Sequence, residues 1–161
     1  MLLKITDYKN LNGRKLMDVY EESNRENVAF FYPACKDPSE GLKLVESELL
    51  KYLETDFFNG KDAYFVLEEN GNWLSALRLY SVGNSTYYIE GLETKPSARR
   101  SGNATMLVLL VLTELKKNGA FTVCSSVESG NQAALGTYVK CGFGVEAQLG
   151  GEYGLAYKYQ K

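Results

Sequence analysis

Apolar positions along this chain recur at two spacings, and the switching between them predicts alternating strands and helices. Leu2 to Ile5 reads as an edge strand. Asn12-Gly13 precedes a helix predicted from about Arg14 to Glu26. A second follows Asp37-Pro38-Ser39, where Leu42, Val45, Leu49, Leu50 and Leu53 fall at helical intervals. Ala63 to Leu67 is then a strand. Asn70-Gly71 makes a hairpin turn into a strand from about Trp73 to Tyr80, and Gly83-Asn84 turns the chain again into Tyr87 to Thr94. Lys95-Pro96-Ser97 ends this meander, because proline has no N–H to give a ladder. Met106 to Leu112 is apolar on every side, with Leu115 continuing it, which predicts a helix starting near Thr105 and sandwiched in the interior. Lys116-Lys117-Asn118-Gly119 closes that helix with cations and a terminal glycine. Phe121 to Val127 is the next strand. A helix capped by Asn131 and stopped by Gly142 follows, and then a terminal segment to Lys161. Strand, helix, strand, helix in this half implies a partly parallel sheet, so the chain is expected to be one mixed α/β domain over residues 1–161.

Composition narrows the chemistry. At 161 residues with 45% hydrophobic and 12% aromatic content, the chain can bury the core of a single domain. A net charge of −2 gives no basic surface for nucleic acid, so any anion site has to be local. Met1 to Ile5 is too short and interrupted to read as a signal peptide, and Met106 to Leu112 is far below membrane-spanning length. A soluble cytoplasmic protein without a membrane partner is the expectation. Cys35, Cys124 and Cys141 are odd in number and widely spaced, which predicts buried free thiols and not a disulfide scaffold. The chain has no histidine, so Ser-His-Asp and Cys-His nucleophile pairs are absent, and no C-x-x-C spacing suggests a metal. Chemistry that needs only positioning, an oxyanion donor and modest proton management stays open.

Two motifs point the same way. Arg99-Arg100-Ser101-Gly102-Asn103-Ala104 lies between a strand and an apolar helix. Small residues there let a backbone approach a diphosphate, toward which the unpaired amides of the new helix point, while the guanidinium groups add charge. Downstream, Asn131, Leu135 and Tyr138 lie about two helical turns apart and share a face, so an amide and a phenol look the same way. Arg99, Gly102 and Ala104 resemble the Q/R-x-x-G-x-G/A pyrophosphate loop of the GNAT superfamily of acyl-CoA-dependent N-acyltransferases. Val127, Asn131, Ala134, Tyr138, Gly142 and Phe143 resemble its V-x-x-x-N-x-x-A-x-x-x-Y-x-x-x-G-F segment. The match runs from about Tyr87 to Phe143. At Arg100 the family more often has glycine. The run from Glu90 to Met106 is also locally similar to aminoglycoside N-acetyltransferases, mainly through the cofactor loop.

The resemblance implies a GNAT-like fold, a mixed central sheet splayed mid-way with flanking helices, and acetyl-CoA as cosubstrate. It implies that Arg99, Arg100, Ser101, Gly102, Asn103 and Ala104 hold the diphosphate and that Asn131 contacts the pantetheine arm. Backbone at Leu92 and Thr94 would hold the acyl carbonyl and the pantetheine amides, and Tyr138 would protonate the departing thiolate. Strand alternation puts Tyr88, Glu90, Leu92 and Thr94 on one face and Glu93 on the other, unless a bulge resets it. On that reading Glu90 takes the proton of the attacking amine, against the alternative of a solvated strand acid. Arg78, Tyr80, Tyr87 and Tyr88 are candidates for the acceptor pocket. The expected function is acetyl transfer from acetyl-CoA to a primary amine by direct attack in a ternary complex, the acceptor a small molecule. A protein N-terminus or lysine as acceptor, and a non-catalytic acyl-CoA-binding module, are the alternatives, and homodimerisation stays open.

Overall fold

A computed structural model describes residues 1–161. Seven strands form one sheet in the order β1-β2-β3-β4-β5-β7-β6. They are β1 (Leu2–Ile5), β2 (Ala63–Glu69), β3 (Asn72–Gly83), β4 (Thr86–Thr94), β5 (Phe121–Glu128), β6 (Gly144–Leu149) and β7 (Glu152–Tyr159). Every neighbouring pair is antiparallel except β4 and β5, which are parallel and joined through a helix. The helices are α1 (Gly13–Val19), α2 (Glu21–Phe31), α3 (Pro38–Tyr52), α4 (Asn103–Lys116) and α5 (Gln132–Lys140). None is long and apolar enough to cross a membrane.

Local chemistry starts and stops these elements as expected. Asn12 caps α1 by accepting from Lys15 N at 3.0 Å, and Asp37 caps α3 from Ser39 N at 3.0 Å with Pro38 in the first turn. The helix expected over Arg14–Glu26 is instead broken at Tyr20. There ψ departs to 12° as the side chain turns inward to hydrogen-bond the Gly91 carbonyl on β4. The terminal segment is a hairpin, β6 turning at Gly150-Gly151 into β7, which pairs with β5 along its whole length.

Two apolar clusters sandwich the sheet. On one face Phe65, Leu77, Leu79 and Ile89 pack beneath Leu107, Val108, Val111 and Leu112 of α4, with Tyr138 of α5 alongside. On the other, Tyr64, Val66 and Ala76 pack against Leu16, Met17, Val19 and Tyr20. Because β2 is covered on both sides, Ala63 to Leu67 reads as an unbroken buried run. The helix α4 is not sandwiched as its sequence suggested. Met106 and Leu109 face solvent, since only one side of α4 meets the sheet. Of the cysteines only Cys141 is buried. Cys35 and Cys124 are half-buried, which corrects the expectation of three buried thiols.

Candidate active site

The ladder between β4 and β5 is short. It joins Thr86–Tyr88 to Thr122–Cys124 and ends there, while β4 continues to Thr94 and β5 to Glu128. The strands therefore part mid-sheet into a fork, as expected. Beyond the apex, β4 carries a bulge at Gly91, where φ is +65° and the pairing with β3 slips between Ala76 and Arg78. An extra residue of this kind bends its strand. Glycine is required there on two counts, because the Arg78 guanidinium lies across it and an added Cβ would stand 2.9 Å from Nη2.

The bulge also resets alternation, which corrects the face assignment made from the sequence. Leu92 packs against the α4-side cluster, and Thr94 Oγ1 meets the buried Ser75 Oγ at 2.6 Å. Glu90 and Glu93 both face the opposite side, toward Arg78 and α2. Glu90 thus does not share a face with Leu92 and Thr94. Tyr88 stays on the Glu90 side, whereas Tyr87 faces the other way into a cavity of about 280 Å³ beneath the C-terminal end of α4, lined also by Lys4, Lys61 and Glu114. Tyr87 therefore does not share a face with Tyr88 and Glu90.

At the apex three groups converge. Ser125 Oγ lies 3.0 Å from Ile89 O and 3.1 Å from the Tyr138 hydroxyl. On the opposite face Tyr88 and Ser126 join hydroxyls at 2.7 Å, so both faces of the fork are tied just where the backbone ladder ends. Tyr138 is almost fully buried, packed edge-on against Phe143, and burial pushes its phenol up to about 12 despite the opposing hydrogen bond of Ser125. It is accordingly protonated at neutral pH. Asn131, one helical face away, is exposed and caps α5 by accepting from Ala134 N at 3.1 Å.

The loop before α4 offers backbone more than side chains. Arg100 and Gly102 both adopt positive φ, at 61° and 76°. No side chain caps α4, and its first recorded entry bond runs from Met106 N to Gly102 O at 2.9 Å. The amides of Asn103, Ala104 and Thr105 precede that bond and point out of the helix end. Nothing stands within 4 Å of a Cβ built on Gly102. The side chains expected to reach a diphosphate are engaged elsewhere. Arg99 pairs with Glu22 of α2 and donates from Nε to Thr94 O at 3.3 Å, Asn103 Nδ2 donates to Ala98 O at 2.7 Å, and Ser101 Oγ to Arg99 O at 3.4 Å. Both guanidinium groups of the loop are exposed, and Arg100 is the one not paired with a carboxylate.

On the α1–α3 side lies a polar chain that the sequence did not reveal. Arg78 Nη1 donates to Tyr64 Oη at 3.0 Å, Tyr64 to Tyr20 Oη at 3.0 Å, and Tyr20 to the Gly91 carbonyl. Arg78 Nη2 reaches Glu90 at 3.4 Å. Glu93 lies deeper, with Oε2 buried and without a hydrogen-bond partner. Burial raises its carboxyl to about 7, opposed by the Ser23 hydroxyl and Arg99 and reinforced by Glu22 and Glu26. The glycine at 91 was the one local signal that could have moved Glu93 onto this face. Nothing local marks Ser125, Tyr20 or Tyr64.

A sheet forked beside an uncapped helix entrance, with a buried phenol at the fork's apex, is the layout that the resemblance to acyl-CoA-dependent transferases implied. The comparisons agree with it. The model of the acetyltransferase (GNAT) family matches residues 16–143, and the chain belongs to that family of acyltransferases. A comparison with curated protein sequences finds no match. Among solved structures, the PaiA N-acetyltransferase from Thermoplasma acidophilum in complex with coenzyme A superposes with a TM-score of 0.68 at 17% identity, over 99% of both chains. Aminoglycoside 6'-acetyltransferase type Ii gives 0.68 at 14%, over 98% of this chain and 96% of that one. The Campylobacter jejuni N-acetyltransferase PseH in complex with acetyl coenzyme A gives 0.61 at 15%, over 98% and 99%.

Proposed function

We propose that this protein transfers an acetyl group from acetyl-CoA to a primary amine of a small molecule, by direct attack within a ternary complex. The observation that carries this reading is the fork between β4 and β5, flanked by free helix-entry amides at one end and by the Tyr138 phenol at its apex. The amides of Gly102 to Thr105 hold the diphosphate, aided by the exposed Arg100. Asn131 and the backbone of Leu92 and Thr94 meet the pantetheine arm. The amine attacks the thioester carbon, the C–S bond breaks, and the sulfur takes the proton of Tyr138.

An alkyl ammonium near pKa 10.4 must lose a proton before it attacks. Two carboxylates serve the acceptor side. Glu90 is half open to solvent and tied to Arg78, whereas Glu93 is buried with its carboxyl raised to about 7, so Glu93 takes the proton and Glu90 orients the cation. Around them Glu22 and Glu26 join Glu90 and Glu93 against Arg78 and Arg99, a balance that favours a cationic acceptor. The test is a panel of amines, small polycations and peptides offered with acetyl-CoA while free thiol is followed. Turnover confined to peptides would overturn the acceptor class. Acetyl-CoA binding with no turnover on any amine would reduce the protein to a binding module.

A further inference from the structure

Tyr138 is not an isolated acid. Ser125 is the first residue of β5 beyond the parallel ladder, and Ile89 is its counterpart on β4, so the Ile89 carbonyl has lost its ladder partner to the fork. Ser125 Oγ fills that vacancy at 3.0 Å while standing 3.1 Å from the phenol. A serine hydroxyl has one proton and two lone pairs. Ser125 Oγ is placed as donor to both the Ile89 carbonyl and the Tyr138 oxygen, so its single proton serves one of them at a time. Ser125 is 4% exposed, so no bulk water competes for either bond.

We infer that Ser125 is a positioning residue for the general acid: its hydroxyl, shared at rest between Ile89 O and the Tyr138 oxygen, turns wholly to the phenolate as the thiolate takes the phenol's proton. This rests on the reading of Tyr138 given above. Proton by proton, the thioester sulfur leaves with the Tyr138 proton as a thiol. The Ser125 proton stays on its oxygen and changes only its acceptor. Of the two protons the ammonium loses on becoming an amide, one replaces the proton of the phenol and the other leaves through Glu93 to solvent.

The need for such help follows from acidity. A phenol near 12 giving its proton to a sulfur whose thiol has an ordinary value of about 8.5 works against a ratio on the order of 10³. The Ser125 hydroxyl donating to the phenolate already opposes burial in that value, and without it the ratio would be larger, because hydrogen bonds to charged groups are the strong ones. The geometry permits the switch without moving either backbone, since both acceptors already lie within reach of one oxygen.

A double-mutant cycle tests the proposal, using acetyl-CoA and whichever amine turns over fastest in the panel, with single-turnover rates so that chemistry is read. Ser125→Ala is expected to slow acetyl transfer about tenfold with the KM for acetyl-CoA changed less than about twofold, the signature of an interaction made in the transition state. Tyr138→Phe should slow it about 10²-fold. The double variant should be no slower than Tyr138→Phe alone, because Ser125 acts only through the phenol. Ser125→Thr, which keeps the hydroxyl, should recover part of the rate. If Ser125→Ala slows both backgrounds equally, or raises KM alone, Ser125 merely braces the fork and the inference is wrong. If Tyr138→Phe lowers the rate but Ser125→Ala does not, the general acid stands and only Ser125's part fails. If Tyr138→Phe is inert, or no amine turns over, the reading of the acid falls and this inference with it.

Discussion

Replacing Glu93 by glutamine should make the protein more stable at alkaline pH and less active. In the folded chain burial holds this carboxyl near 7 against an ordinary value of 4.5, and one oxygen finds no hydrogen-bond partner. The folded state therefore keeps its proton over a range in which the unfolded chain has already lost it. Stability attributable to the group is fully present below about 4.5 and is lost as pH rises through 7. With about 1.36 kcal/mol per pH unit, the loss between pH 5 and pH 8.5 is about 2–3 kcal/mol. Glutamine has nearly the same shape and does not ionise, so this part of the pH dependence disappears. Urea unfolding of both proteins at the two pH values measures it. The stability of Glu93→Gln relative to the parent should rise by about 2–3 kcal/mol from pH 5 to pH 8.5, while kcat/KM at neutral pH falls and its acid limb near 7 vanishes. A stability difference that is the same at both pH values would refute the raised acidity constant. A variant stabilised at pH 8.5 with an unaltered rate profile would leave the buried carboxyl real but remove it from proton transfer.

Further outcomes follow from the same geometry. Gly102→Val should weaken coenzyme A binding in calorimetry, because the side chain would occupy open space beside the helix-entry amides; unchanged affinity in a folded variant would contradict the diphosphate assignment. Glu90→Gln should raise KM for a cationic amine more than it lowers kcat, since the carboxylate beside Arg78 orients the acceptor in this reading; a loss of kcat alone, recovered at high pH, would return the base to Glu90. Gly91→Ala combines a positive φ with a Cβ 2.9 Å from Arg78 Nη2, so thermal unfolding should show a loss of about 1–3 kcal/mol; a neutral result would mean the bulge is not held by Arg78.

Much of the architecture was legible because it is decided within a few residues. Asn12, Asp37 and Asn131 cap helices through bonds that span no more than three positions, and the Asn70-Gly71 turn and the Gly142 stop need only local backbone freedom. The loop before α4 and the helix carrying Tyr138 were readable for the same reason: a motif is a local spacing.

What the sequence left undecided depends on partners far along the chain. The helix break at Tyr20 answers to a hydrogen bond with Gly91, seventy-one positions away. Met106 and Leu109 look like core until the sheet is seen to cover only one side of α4. The ion pair between Arg99 and Glu22 of α2 joins residues seventy-seven positions apart. The acidity of Glu93 is set by α2 crossing over it and by a bulge that turned it from one face to the other, and the role of Ser125 exists only because two strands part next to it. Burial and long-range hydrogen bonding are properties of the packed sheet, and no run of residues along one strand contains them.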